Sequence, residues 1–91
     1  MNNDEDELLR LGDDAEALLR SEVFDKTVND LVLQSFQAFC NSSPSEVDAR
    51  ERSYNHYRAV VEIVQTLQQR VSLRDEIIQK AQEANNQQEE A

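Results

Sequence analysis

The stretch SPSEVDARERSYNHYRAVVEIVQTLQQRVSLRDEIIQKAQ, residues 43–82, decides the fold. Ser43 offers an N-cap, Pro44 suits the first helical position, and Glu46 stands three residues after the cap. This is a capping box with proline at the helix start, in which both side chains satisfy backbone N–H groups that a helix leaves open. From there to Gln82 there is neither glycine nor proline. About 38 residues of unbroken helix would run about 58 Å, too long for an ordinary small domain. Positions 47, 50, 54, 57, 61, 64, 68, 71, 75 and 78 follow the three-and-four step of a coiled coil. Val47, Tyr54, Tyr57, Val61, Val64, Val71 and Ile78 fill seven of them, while Arg50, Gln68 and Asp75 break the run. A neighbouring track through Val60, Ile63, Leu67, Leu73, Ile77 and Ala81 makes the apolar stripe wider than one partner helix needs.

Upstream, Ser21 is a second N-cap. Phe24, Val28, Leu31, Val32, Phe36 and Phe39 then recur at helical spacing and predict a helix over 22–40. Glu22 and Asp25 suit the positive end of its dipole. Earlier still, Leu8, Leu11, Ala15, Leu18 and Leu19 are also helically spaced, but Gly12 interrupts them. Asp13 as N-cap predicts a short helix over about 13–20, with 4–11 less regular. Residues 1–7 read as a disordered acidic arm and residues 83–91 as a frayed polar tail. The expectation is an all-α chain with a single helical domain over 8–82. It would be an antiparallel helical hairpin with a short N-terminal helix and one long C-terminal helix.

Composition supports this. A chain of 91 residues makes at most one domain, and only 38% of it is hydrophobic, which favours a narrow seam over a broad core. One Gly and one Pro are too few for the turns of a β fold. Cys40 stands alone, so no intramolecular disulfide can form. No apolar run approaches a membrane span, and MNNDEDE lacks the apolar segment of a signal peptide, so a cytoplasmic protein is expected.

The net charge of −10 rules out a general attraction for phosphate backbones. Any nucleic-acid contact would be local, and ARERSYNHYR, residues 49–58, is where it would lie. Arg50, Tyr54 and Arg58 fall one above another on a helix face, with Arg52 beside them. Yet Glu46, Asp48, Glu51 and Glu62 lie within a turn of them, and residues 46–62 sum to −1. The favoured reading is structural: Tyr54 and Tyr57 face Phe36 and Phe39 across the turn as an aromatic plug. Catalysis by Cys40 and His56 is disfavoured, because a helix C-terminus opposes a thiolate. One His and one Cys are too few soft ligands for a metal, and no calcium loop or Gly-rich phosphate loop is present. No catalytic, cofactor-binding or metal-binding residue is therefore assigned.

The helix over 22–40 can cover only half of its longer neighbour. Phe24, Val28, Leu31, Phe36, Phe39, Tyr54, Val61 and Val64 are expected to hold the hairpin. Leaving Leu67, Val71, Leu73, Ile77 and Ile78 in water would be costly, since each buried aliphatic side chain contributes roughly 1.5–3 kcal/mol. Residues 8–20 could cover them if 8–40 runs antiparallel to 44–82 as a broken arm of the hairpin, but one internal seam is narrower than the stripe, so these residues are expected to associate with other copies or with a partner protein. The acidic residues Asp4, Glu5, Asp6, Glu7, Asp13, Asp14 and Glu16 read first as a solubility feature, and second as an arm that docks on a basic partner.

LGDDAEALLRSEVFDKTVNDLV (11–32) and SPSEVDARERSYNHYRAVVEIVQTLQQRVSLRDEI (43–77) resemble small all-helical virion-assembly and DNA-packaging accessory proteins of tailed bacteriophages. The resemblance spans about residues 10–78 and carries no catalytic motif. It implies a non-enzymatic assembly protein without cofactors, similar to the small terminase component. It also implies a homo-oligomer or a complex with a viral or host protein, in the host cytoplasm or the virion. Small terminases usually add a basic helix-turn-helix, whereas this N-terminus is acidic. That departure disfavours direct DNA recognition. The alternative is an acidic inhibitor or DNA-charge mimic that binds a basic host protein.

Overall fold

The computed structural model describes residues 3–90, with side chains described for 4–87. Among these residues there are three α-helices and no strand: α1 (Asn3–Leu19), α2 (Glu22–Asn41) and α3 (Val47–Glu90). The all-α class and the long C-terminal helix are as the sequence predicts. The chain divides into two compact units. Unit 1 joins the first 18 residues to α3 from Thr66 onward, and unit 2 runs from Leu19 to Gln65.

In unit 2, the Ser21 side chain accepts a hydrogen bond from the Phe24 N–H at 3.2 Å, so α2 starts at the predicted cap. The segment 42–46 then reverses the chain, and α2 pairs antiparallel with the beginning of α3. The capping box forms by half. Glu46 Oε1 accepts the Ser43 N–H at 2.9 Å, but the Ser43 hydroxyl meets Ser45 Oγ. Glu46 N–H bonds the Ser43 carbonyl instead, so Ser43–Glu46 is a single turn and α3 begins at Val47 rather than near 44.

α1 departs most from expectation. It is continuous from Asn3 to Leu19 and passes straight through Gly12. Met1 and Asn2 of the expected disordered arm lie outside the described residues, but Asp4, Glu5, Asp6 and Glu7 belong to its first turns. Acidic side chains there interact favourably with the helix dipole. An interior glycine costs a helix about 1 kcal/mol relative to alanine. Packing in unit 1 explains its presence. A Cβ at Gly12 would collide with Arg74 Cβ and lie 2.9 Å from the Arg70 carbonyl oxygen. Gly12 and the buried Ala15, one turn apart, let α1 lie close against α3. At the other end α3 continues through the segment read as a tail, to Glu90.

The packed seam of α3 is also shifted from the predicted count. Ser53, Val60, Val64, Leu67, Val71 and Arg74 turn inward, whereas Tyr54, Gln68 and Asp75 are exposed. The inward set draws on both tracks, Val64 and Val71 from the first count and Val60 and Leu67 from the second, with Ser53 and Arg74 from neither, while Ile63, Leu73 and Ala81 of the second track are exposed. Among the described residues the buried apolar ones are few: Ala15, Val60 and Leu67.

Candidate partner-binding face

Shifting the seam by one position turns the aromatic residues of unit 2 outward. Phe36 is 63% exposed, Tyr54 59% and Phe39 47%, with Leu33, Val47 and Tyr57 exposed beside them. Phe36, Phe39 and Tyr54 were expected to hold the hairpin. The structure corrects this, because α2 turns the Leu31, Val32, Ser35 row inward and α3 presents Ser53 and Val60 to it. Among the other expected hairpin residues, Phe24, Val28, Leu31, Val61 and Val64 are half-buried. The exposed aromatics border an open apolar depression of about 460 Å³ between Leu33, Phe36 and Phe39 of α2 and Tyr54 and Tyr57 of α3. Phe39 and Tyr54 also border a second depression with Val47, Arg50 and Glu51.

Ser35, buried at the centre of this helix pair, was missed by sequence reasoning. Its Oγ donates to the Leu31 carbonyl at 3.0 Å and lies 2.6 Å from His56 Nδ1. A hydroxyl has one proton, so with Leu31 as acceptor the imidazole donates through Nδ1–H. The signal was available: Ser35 falls at helical spacing between Leu31 and Phe39. The contact fixes the register of α2 on α3.

The basic cluster does not assemble as a patch. Arg50 Nη2 donates to the Pro44 carbonyl at 2.9 Å, and its Nε is buried without a hydrogen-bond partner. The Arg50 side chain thus folds over the 42–46 turn. Arg52, Tyr54 and Arg58 are exposed. Arg52 borders a groove with His56 and Gln34, away from the depression holding Tyr54. Cys40 is exposed.

In unit 1, Leu67 is buried and Val71 and Ile77 are half-buried, whereas Leu73 and Ile78 are exposed. The five residues expected to form one association surface therefore face two ways. Arg74 takes a seam position. Its guanidinium reaches Glu16 at 2.7 Å, Asp13 at 2.9 Å and the adjacent Asp75 at 2.9 Å. Glu16, Asp75 and Asp13 hold Arg74 protonated still more firmly than usual. Asp13 and Glu16 thus bind α3, while Asp4, Asp6, Glu7 and Asp14 are exposed along α1. Among the described residues no group of three or more His, Cys, Asp or Glu gathers as a metal requires, and no helix is long and apolar enough to cross a membrane.

No family model matches the chain, and neither a curated protein nor a solved structure matches it.

Proposed function

We propose that the chain is a non-enzymatic protein–protein assembly module that works as an oligomer. It would be a virion-assembly or DNA-packaging accessory protein of the small-terminase kind, acting in the host cytoplasm or in the virion. The observation that carries this reading is the open aromatic face of unit 2. Soluble chains seldom leave three large aromatic side chains this exposed side by side unless something covers them. The face has the make-up of an interface centre, aromatic and poor in charge, with Arg and Glu at its edge. The resemblance of residues 10–78 to phage accessory proteins supports the setting.

The test is the solution mass of the full chain by light scattering over a concentration series, with and without Phe36→Ser and Tyr54→Ser together. A mass above 10.5 kDa that the double substitution reduces to 10.5 kDa supports the reading. A wild-type chain that stays at 10.5 kDa throughout removes it.

A second reading, an acidic inhibitor or DNA-charge mimic that binds a basic host protein, draws on unit 1. That unit carries twelve acidic residues against four basic ones. Neutralising Asp4, Asp6, Glu7 and Asp14 would then abolish binding to a basic partner and leave the solution mass unchanged. This reading has less support, because the charge of Asp13 and Glu16 is already directed at Arg74.

A further inference from the structure

We infer that the occupant of the aromatic face is a second copy of the chain, with the two α3 segments crossing antiparallel about a two-fold axis between Tyr54 and Asn55. The inference rests on the assembly reading and specifies its partner and geometry.

Area is the first argument. From their fractional exposures, Leu33, Phe36, Phe39, Val47, Tyr54 and Tyr57 offer roughly 600 Å² of accessible surface per copy. Complete coverage of two such faces would remove about 1,200 Å² from water, the lower bound for a stable specific interface. A self-complementary patch is what a two-fold dimer uses.

Charge is the second argument. A chain of net charge −10 repels its own copies, so self-association needs a neutral region. Unit 2 carries seven acidic against five basic residues, and residues 31–58 carry three of each. From Leu31 to Ser45 there is no charged residue at all. Two copies can therefore meet here without bringing their excess charge into the contact.

The same charges choose the arrangement. The face could pair with α3 over α2 of the other copy, or with α3 over α3. On α3, Glu51 and Arg58 flank Tyr54 at i−3 and i+4. They lie about 10 Å apart along the axis, so they do not pair within one copy. The exposed part of α2 beside the face has no charge to offer either of them. An antiparallel α3 crossing centred between Tyr54 and Asn55 sets Glu51 of each copy against Arg58 of the other. It also brings the two Tyr54 rings together at the axis, where aromatic pairs add to burial.

The experiment is a charge exchange in the full chain, read by sedimentation and light scattering over a concentration series, with helix content monitored by circular dichroism. The proteins are the wild type, Glu51→Lys, Arg58→Glu, and the two substitutions together. The wild type is expected to reach twice 10.5 kDa. Each single substitution places like charges at two symmetric points and is expected to raise the dissociation constant about tenfold. The double substitution restores opposite pairs and is expected to return it to within about threefold of wild type. A double variant as weak as either single one overturns the crossing, as does a mass that grows beyond two copies. Self-association lost with Phe36→Ser and Tyr54→Ser but indifferent to all three charge variants also overturns it, while the assembly reading stands. A wild-type monomer at every concentration removes both.

Discussion

Arg74 Nη1 donates to Glu16 Oε2 across 2.7 Å, at the level where Gly12 lets α1 approach α3. The arginine occupies a seam position that would ordinarily hold an aliphatic residue, and its stem supplies the packing while its head binds carboxylates. Arg74→Ala removes both contributions and is expected to lower the thermal midpoint clearly. Arg74→Met keeps the volume, and an apolar replacement of similar size is often tolerated in place of a desolvated ion pair. Melting curves by circular dichroism should therefore place Arg74→Met between wild type and Arg74→Ala. Equal losses would mean that the ion pairs, not the packing, hold α1.

Gly12→Ala tests the close approach directly. On a free helix the change would be stabilising by about 1 kcal/mol. Here the added methyl meets Arg74 Cβ and the Arg70 carbonyl, neither of which is the flexible end of a side chain. Overpacking of this kind typically costs about 1–3 kcal/mol. The net expectation is a loss of up to about 2 kcal/mol in urea denaturation, against the sign of helix propensity. A gain in stability would mean that the two helices separate readily.

Gly12 also shows where the sequence was legible and where it was not. Caps and periodicity are local, so the Ser21 cap, the bounds of α2 and the existence of α3 followed from neighbouring residues. A glycine inside a helical pattern is ambiguous, because its justification lies in Arg70 and Arg74, some 60 residues away in the chain. The seam of α3 had the same weakness. Two apolar tracks ran side by side, and the seam takes residues from both, with the pairing of Ser35 with His56 and of Arg74 with Glu16 marking where it runs between them. Counting apolar residues assigned the tyrosines to the core and passed over a serine and an arginine, since polar residues enter a seam only when a specific partner awaits them. The aromatic face was thus visible as residues but not as a surface.

The turn between α2 and α3 carries a pH-dependent contact. The Ser43 N–H, and secondarily its side chain, holds the Glu46 carboxyl below the usual carboxylate range. A depressed folded-state pKa means that the contribution is fully present above the unfolded value, about 4.3 for glutamate. It is lost as pH falls through the lower folded value. Thermal midpoints measured between about pH 6 and pH 3 should fall less steeply for Glu46→Gln than for the wild type, with the difference confined to the acid end. Parallel curves would mean that the contact with Ser43 contributes nothing to folding.

Duplex DNA is expected to bind neither tightly nor with a steep salt dependence. Arg50 is engaged with Pro44, and Arg52 and Arg58 stand among acidic neighbours in an acidic chain. Fluorescence anisotropy with a labelled duplex at about 50 and 200 mM salt should show weak binding that Arg52→Ala with Arg58→Ala leaves unaltered. Salt-sensitive binding abolished by that pair would restore the nucleic-acid reading of residues 49–58. Arg50→Ala should register as a looser turn, seen as a lower thermal midpoint, and not as a change in DNA affinity.

Phe36 separates folding from assembly. It is 63% exposed, so truncation should alter the stability of the isolated chain by no more than about 0.5 kcal/mol, the usual range for surface changes. If copies associate through the aromatic face, association stabilises the folded state by mass action, and the wild-type melting temperature rises with protein concentration. Phe36→Ser should therefore melt like the wild type in dilute solution and fall behind it as concentration increases. A constant offset at every concentration would instead place Phe36 in the fold of a single chain. Coincident curves throughout would mean that its exposed ring takes no part in association.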